Sequence, residues 1–325
     1  MFGKVILLII ILLNFFSCRK EDLSSIDFRN EMRNFVIEIS NYAKSKRDNF
    51  LIIPQNGQEL ITNTGDSLGE VYNNYLANID GTAREDLFYG YNGDDSPTPI
   101  QITQEWIGLL NICKRNLVVP MVIDYCFTQS KIDDSYQKNQ SFGFISFAAD
   151  DRNLRKIPDY PTNPINENTN NINSLAEVRN FLYLINFEKF NSKQQLIDSL
   201  KKTNYDLIII DLFFNEQQFY SNEILQLKQK KNGARRLVIC YMSIGEAESY
   251  RYYWHKEWEK NKPQWLEDEN PSWPGNFKVR YWYKEWKQII FGNSNAYLDK
   301  ILATGFDGVY LDIIDAFDYF EQKYH

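Results

Sequence analysis

The sequence has very little histidine. Its 325 residues include only His255 and the terminal His325. A Ser-His-Asp triad or a histidine-rich zinc site needs more imidazoles than this, so both kinds of site are close to excluded. Acid–base chemistry therefore falls to the carboxylates, and Asp and Glu together number 43.

The chain also lacks runs of Lys or Arg. Its net charge is −7 at pH 7, and no basic face stands out, which argues against a nucleic-acid partner. Cysteine is scarce as well, with four residues. Apart from Cys18, the three that remain are Cys113, Cys126 and Cys240. They fall in segments that read as helix or strand, so we expect buried thiols rather than a disulfide framework.

No apolar run is long enough to span a bilayer as a stable helix. The stretch Val5 to Leu13 follows Lys4 and has the proportions of a secretory signal. Ser17-Cys18 resembles a bacterial lipoprotein cleavage and acylation site, although a cleaved signal with an incidental cysteine stays open. We expect residues 1–17 to be a signal peptide and 18–27 a tether. The protein would then be extracytoplasmic and lipid-anchored through Cys18.

The rest of the chain alternates between strand and helix patterns. Residues 28–47 read as a helix, and eight strands follow, near 50–54, 76–80, 121–125, 142–147, 181–185, 206–212, 237–244 and 305–312. Pro120 is expected just before its strand, and the Asn-rich segment 163–173 is expected to be a solvated loop. Eight strands favour a single (β/α)8 barrel of the TIM type over residues 28–325.

The segment Gly305 to Asp315 reads as a buried strand with a carboxylate at its exit. Gly308, Tyr310 and Asp312 share one face because the side-chain period of a strand is two. Asp312 alone could be the cap of a following helix. Four more acids sit at or just after predicted strand ends, and these are Glu85, Asp124, Asp211 and Glu246.

Strand ends converge at the mouth of such a barrel, so these five acids are expected to meet. Crowded carboxylates raise one another's pKa, which keeps one carboxyl protonated as a general acid beside an ionised partner. That is the chemistry of glycoside hydrolysis. The same acids could instead hold Ca²⁺, although the favoured interpretation uses neither a metal nor a cofactor.

A long insertion, from Gly245 to Asn295, precedes the last strand. It carries six of the seven tryptophans, together with several tyrosines. Rings above a barrel mouth can stack on sugar faces, and Arg251 and Lys284 supply hydrogen-bond donors there. The alternative is that many of these rings simply pack the insertion against itself.

Several motifs resemble the glycoside hydrolases related to endo-α-1,4-polygalactosaminidase, a broad group that includes the hydrolase domain of the Pel polysaccharide protein. The resemblance covers the chain from about residue 30 onward. Its motifs are Cys240-Tyr-Met-Ser-Ile-Gly-Glu-Ala-Glu-Ser-Tyr-Arg251, Trp273-Pro-Gly-Asn276, Gly305-Phe-Asp-Gly-Val-Tyr-Leu-Asp312, Ile53-Pro-Gln-Asn-Gly57 and Glu85-Asp-Leu-Phe-Tyr89. In those relatives the last two motifs come after the Leu-Asp-x-x-Asp strand. The resemblance therefore implies a circularly permuted barrel, with helix 28–47 between the last strand and the first.

The resemblance implies a hydrolase of an extracytoplasmic polysaccharide, and amino sugars are the expected units. It places the catalytic pair at Asp312 and Glu85. We expect Asp312 to be ionised and held by the Tyr310 hydroxyl, and Glu85 to be the protonated general acid. Candidate substrate-binding residues are Glu246, Asp211, Asp124, Tyr310, Glu248, Arg251, Trp273 and Asn56. A sugar-binding lipoprotein without turnover is the alternative function.

Overall fold

Two parallel sheets form the centre of the computed structural model, which describes residues 23–325. The eight parallel strands are β1 (Leu51–Pro54), β2 (Gly81–Glu85), β3 (Val119–Tyr125), β4 (Ile145–Ala149), β5 (Phe181–Tyr183), β6 (Leu207–Ile210), β7 (Leu237–Ser243) and β8 (Gly308–Asp312). One sheet has the order β1-β8-β7-β6-β5 and the other β2-β3-β4. The expected signal peptide and Cys18 lie outside the described residues.

The two sheets meet at the edge between β1 and β2. There the Asp80 amide donates to the Ile52 carbonyl at 2.9 Å and the Asn56 amide to the Ala83 carbonyl at 2.7 Å. At the far edge the rings of Phe147 in β4 and Phe181 in β5 have centroids 5.8 Å apart. Within residues 23–325 no hydrogen-bonded ladder joins β4 to β5. The parallel α/β architecture is therefore present, while a continuous closed ring of strands is not.

The first and last strands are neighbours. Leu51 lies opposite Gly308, and Pro54 opposite Leu311, in a parallel register. A side chain at Gly308 would place its Cβ 2.5 Å from the Leu51 carbonyl oxygen, so glycine permits this close approach. A permuted barrel requires that its first and last strands be adjacent, as these are.

Helices cover the sheets and follow the predicted alternation closely. They are α1 (Phe28–Lys46), α2 (Asn73–Leu76), α3 (Ile100–Arg115), α4 (Gln129–Phe142), α5 (Lys193–Lys201), α6 (Ser221–Leu227), α7 (Lys284–Ile290), α8 (Tyr297–Thr304) and α9 (Ala316–Tyr324). None within residues 23–325 is both long and apolar enough to cross a membrane. The Asn-rich segment 163–173 contains neither helix nor strand, as predicted.

Helix α1 confirms the predicted helix 28–47 and packs against α9, the helix that follows β8. Its apolar stripe, which includes Phe28, Phe35 and Ile39, is fully buried. Each such side chain contributes about 1.5–3 kcal/mol of burial free energy. Arg29 also donates two hydrogen bonds to Glu321 of α9, at 2.9 and 3.1 Å. The helix therefore packs where the chain enters β1 and leaves β8.

Two predictions about strand boundaries were wrong. The strand expected near 76–80 begins instead at Gly81, because α2 occupies Asn73–Leu76. Glu85 is thus the last residue of a strand. Pro120 lies inside β3, opposite Thr82 of β2. The structure tolerates the proline because pairing with β4 starts only at Met121, so the missing N–H has no partner to lose.

The aromatic insertion forms its own small antiparallel sheet from Glu246–Glu248, Asn276–Val279 and Leu266–Glu269. Most of its tryptophans pack against other rings. Trp258 and Trp265 have centroids 5.0 Å apart, and Trp265 and Trp286 5.2 Å apart. Trp273 differs, since 51% of its surface is exposed. The expectation that many of these rings pack the insertion against itself is confirmed.

Candidate active site

Glu85 and Asp312 end two strands that flank β1. Asn56, just beyond β1, lies beside the Glu85 carboxyl: its Nδ2 donates to Glu85 Oε2 at 3.1 Å, and its Oδ1 accepts from the Glu85 amide at 3.1 Å. This two-way contact fixes the backbone and the carboxyl of Glu85 together. Asn56, a predicted substrate-binding residue, thus positions Glu85.

Each carboxyl also receives a hydrogen bond from a buried tyrosine. Tyr125, at the end of β3, donates to Glu85 Oε1. Tyr241, in β7, donates to Asp312 Oδ2 at 2.7 Å. Both tyrosines are more than nine-tenths buried. Hydrogen bonds to a charged acceptor are the stronger kind, so these contacts hold the two carboxyls in defined orientations.

Asp312 differs from an ordinary aspartate in its affinity for a proton. Burial, and then the negative charge of Glu85, raise its pKa to about 8, although Tyr241 and the Ile313 amide act in the opposite direction. At neutral pH the carboxyl is therefore mostly protonated. This is opposite to the expectation that Asp312 is ionised. Asp312 is nevertheless partly exposed to solvent at the end of β8.

The expectation that the Tyr310 hydroxyl is the hydrogen-bond partner of Asp312 was also wrong. Its hydroxyl makes no hydrogen bond within residues 23–325 and is fully buried. The hydroxyl that holds Asp312 belongs to Tyr241 instead. Tyr310 packs against Tyr183, with ring centroids 5.0 Å apart, and burial together with the nearby charges of Asp312 and Glu85 raises the pKa of both hydroxyls. A barrel interior usually carries branched aliphatic side chains, so this group of tyrosines marks a polar site.

The backbone is strained immediately after both carboxyls. Ile313 has a φ of 59° and Asp86 a φ of 60°, and Asn56 adopts the same left-handed region. A β-branched residue rarely does so, and such conformations cost about 1–3 kcal/mol each. At Ile313 the strained turn lets the amide donate to the Asp312 carboxyl. Conformational strain of this kind concentrates at functional sites.

Three predicted binding residues form one buried ion cluster. Arg251 donates to both oxygens of Asp211, at 2.8 and 2.6 Å, and its Nε donates to Glu248 at 2.6 Å. The exposed Tyr250 also donates to Glu248, at 2.5 Å. The planar guanidinium of Arg251 thus bonds to both acids at once and fixes their orientation. The cluster therefore supports the Tyr250 ring.

Glu246 and Asp124 lie outside this ion cluster and have other hydrogen-bond partners. Buried Glu246 accepts from Asn270 Nδ2 at 2.8 Å and lies 3.3 Å from Lys278 Nζ, so it ties the insertion together. Asp124 is fully buried and accepts from the Phe88 and Tyr89 amides at 2.8 and 3.2 Å. Side chains alternate between the two faces of a strand. Tyr125, the next residue in β3, points toward Glu85, so the Asp124 side chain points away from the carboxyl pair. The expectation that all five acids meet is therefore wrong. Asp124 bonds to the segment after Glu85 on the side of the sheet that faces helix α4.

The exposed aromatic side chains share one end of the molecule. Within residues 23–325 every exposed aromatic lies in a segment between the carboxyl end of a parallel strand and the next helix. These residues are Tyr72, Tyr91, Phe127, Tyr220, Tyr250, Tyr252 and Trp273. In the part of the chain that the structure describes, no exposed Phe, Trp or Tyr lies at the opposite end of the strands. Flat apolar surface is thus concentrated on the face that carries Glu85 and Asp312.

The calcium alternative finds no support in the geometry. Among residues 23–325 no group of three or more His, Cys, Asp or Glu side chains is arranged to hold a metal ion. The acids near the mouth are instead bonded to Arg251, Lys278, amides and tyrosine hydroxyls.

Comparison with known proteins finds a family match for the second half of the chain. The sequence model of glycoside-hydrolase family GH114 matches residues 169–324, which include β5 to β8, the insertion and Asp312. Glu85 lies outside this match.

Three relatives, all described as uncharacterized proteins, are each similar to part of this chain. The protein from Methanocaldococcus jannaschii is 44% identical over 165 residues, which is 49% of this chain and 46% of the relative. The protein from Thermotoga maritima is 51% identical over 126 residues, covering 38% of this chain and 37% of the relative. The protein from Deinococcus radiodurans is 39% identical over 124 residues, or 38% of either chain.

The chain thus spans less than half the length of the relatives that it matches. The matched residues 169–324 contain four of the eight parallel strands, β5 to β8. Residues 169–324 are related to glycoside-hydrolase family GH114.

Proposed function

We propose that the protein is a glycoside hydrolase in which Glu85 and Asp312 are the catalytic carboxyls. The observation that carries the proposal is that the two acids end strands on either side of β1 and interact electrostatically, so that Glu85 raises the pKa of Asp312. Two carboxyls with different protonation states are what hydrolysis of a glycosidic bond requires. The family match of residues 169–324 supports the same reaction class.

We place a proton on Asp312 at neutral pH, because the pKa of this carboxyl is raised to about 8. Asp312 then protonates the oxygen of the leaving sugar as general acid. Glu85, held by Tyr125 and Asn56, is the partner that attacks the sugar or activates a water. This reverses the roles that we expected from the sequence.

The substrate is an extracytoplasmic polysaccharide. The exposed rings on the carboxyl-end face offer several stacking surfaces, which suits a chain of sugars better than one small ligand. The net charge of −7 favours cationic, N-deacetylated amino sugars by Coulomb attraction. The likeness to endo-α-1,4-polygalactosaminidase points to the same class.

Replacing the exposed Trp273 should weaken substrate binding. We expect Trp273→Ala to raise KM about 2- to 10-fold, since ring stacking contributes about 0.5–1.5 kcal/mol. The value of kcat should stay within about twofold, because Trp273 contacts neither carboxyl. Steady-state kinetics on a soluble oligosaccharide measures both constants. Leu117→Ala is the matched control, because Leu117 is 90% exposed and lies between α3 and β3, at the opposite end of the strands. An equal rise of KM in both variants would show that Trp273 makes no specific contribution to substrate binding.

We also propose that the eight strands form one circularly permuted barrel, completed between β4 and β5 by side-chain packing rather than by a hydrogen-bonded ladder, and that the protein carries a membrane anchor. The pairing of β1 with β8 supports the ring, and the order of the motifs along the chain supports the permutation. For the anchor we propose acylation of Cys18, with residues 18–27 as tether. Cys18→Ser should then move the protein from the membrane fraction to the soluble fraction, or stop its processing. Unchanged fractionation of this variant would show that Cys18 anchors nothing.

A glycan panel tests the reaction class. Purified protein is incubated with galactosamine and glucosamine polymers at several degrees of deacetylation, and new reducing ends are counted. We expect cleavage of a partially deacetylated polymer and none of the fully acetylated form. Binding without any new reducing end, across the whole panel, would favour a sugar-binding protein over a hydrolase.

A further inference from the structure

Arg152 joins three segments at the carboxyl end of β2, β3 and β4. It follows β4 by three residues, and its side chain is about one-third exposed. Its Nη2 donates to Asp86 Oδ1 at 3.0 Å and to the Gly90 carbonyl at 2.9 Å, while its Nε donates to Asp94 Oδ1 at 2.5 Å. Asp86 is the residue directly after Glu85. The guanidinium therefore ties the exit of β2 to the loop after β4.

The same guanidinium covers the ring of Tyr125. Its central carbon lies 3.9 Å from the ring centroid, which is within the range of a cation–π contact. The hydroxyl of that ring donates to Glu85 Oε1. A cation on the face of a phenol draws electron density from the oxygen, so the hydroxyl becomes a better donor to a carboxylate. Arg152 thus acts on Glu85 through one intervening side chain.

The local sequence leaves room for this arrangement. Gly90 has a φ of 124°, and a Cβ there would lie 1.9 Å from Asp86 Oδ1 and 2.9 Å from Arg152 Nη2. Any larger residue would displace the ion pair. Asp86 has its own left-handed φ of 60°, and this conformation directs the chain back toward Arg152. Burial raises the pKa of Asp86 to about 6, and the charge of Arg152 opposes that rise.

We propose that Arg152 is a positioning residue for the reaction: it holds the Tyr125 ring so that the Tyr125 hydroxyl stays bonded to Glu85. The inference rests on the proposed function of Glu85. It adds a residue outside the segment 169–324 that matches the family. Loss of the contact leaves Glu85 present but misplaced, so chemistry slows while the exposed aromatic surface still binds the glycan.

The test compares Arg152→Gln, Arg152→Lys and the control Arg155→Gln. Arg155 lies in the same loop and pairs with Asp151 at 2.8 Å, away from Tyr125. We expect Arg152→Gln to lower kcat about 100-fold, as small misplacements of a catalytic group do, with KM within about twofold. Arg152→Lys keeps the charge near Asp86 and should recover part of kcat. Arg155→Gln should keep the parental kcat. All rates are measured well below each variant's melting temperature.

A crystal structure of Arg152→Gln supplies the readout that needs no turnover. We expect the Tyr125 ring to rotate and its hydroxyl to leave Glu85. If the parent protein cleaves no glycan, the proposed function fails, but this structure still decides whether Arg152 positions Tyr125. An unmoved Tyr125–Glu85 contact, or a kcat of Arg152→Gln equal to that of Arg155→Gln, overturns the inference.

Discussion

Replacing Asp312 by asparagine is expected to lower turnover by about 10²- to 10⁴-fold, the usual contribution of a general acid. Asparagine keeps the size of the side chain and can still accept from Tyr241, which donates to Asp312 at 2.7 Å. It has no proton to give to a leaving sugar. Ligand binding should therefore remain, while kcat falls. Asp198→Asn, an exposed substitution on α5, is the matched control and should keep full activity.

The pH dependence of the parent protein tests the same assignment. Because the pKa of Asp312 is raised to about 8, activity should fall as the pH rises through that value. Stability should change in the same direction. Between the ordinary aspartate pKa and about 8, the folded protein binds a proton that the unfolded chain has released, so the free energy of unfolding decreases as pH rises.

Asp312→Asn removes this titration. Its melting temperature above pH 7 should equal or exceed that of the parent. A melting temperature well below the parental value at pH 8 would show that Asp312 is stabilised in its ionised form, contrary to the proposed roles.

Replacing Glu85 by glutamine is expected to reduce turnover at least as strongly, by about 10²- to 10⁴-fold. The substitution removes the negative charge that attacks the sugar or activates a water. It also removes the charge that contributes to the raised pKa of Asp312, so the alkaline limit of any residual activity should move to lower pH. Initial rates between pH 5 and about 9 would show this shift.

Glu188→Gln is the control for Glu85→Gln, since the Glu188 side chain is 63% exposed and pairs with Arg155 at a distance of 3.8 Å. It should behave as the parent does. Substantial turnover by Glu85→Gln, with the parental pH profile, would exclude Glu85 as half of the pair.

Much of the fold could be predicted because its strands are regular. In β7 and β8 nearly every residue is buried on both faces, and such continuous apolar runs are typical of parallel sheets. The exit of β2 was harder to predict. Its sequence, Gly-Thr-Ala-Arg-Glu, has little strand character of its own, and the pairing of β2 with β3 places it in the sheet.

The site residues were predicted in part. Strand periodicity placed Tyr310 and Asp312 on one face, but the hydrogen-bond partner of Asp312 depends on the register between strands. Tyr241 lies opposite Tyr310, and Ser243 opposite Asp312, in the pairing of β7 with β8. No local pattern in the sequence contains that register. The signal for Tyr125 and Tyr241 was indirect: each is a tyrosine in a strand made mostly of apolar residues.

Asp124 shows why a strand-end acid is not sufficient evidence for a site. It occupies the end of β3, as Glu85 does in β2, yet its side chain points to the helix layer and accepts from Ser135 Oγ at 2.6 Å. A shift of one position along a strand reverses the face of the side chain. The ends of the strands are predictable to within a few residues, which is not enough to decide the face.

The most direct test of the central claim is a count of new reducing ends on one polymer that binds the protein. The parent, Asp312→Asn and Glu85→Gln are compared at equal bound fraction. We predict steady release by the parent, with release by either variant lower by at least about 100-fold. Equal release by all three proteins would contradict the assignment of the pair, and binding without release by the parent would contradict the hydrolase itself.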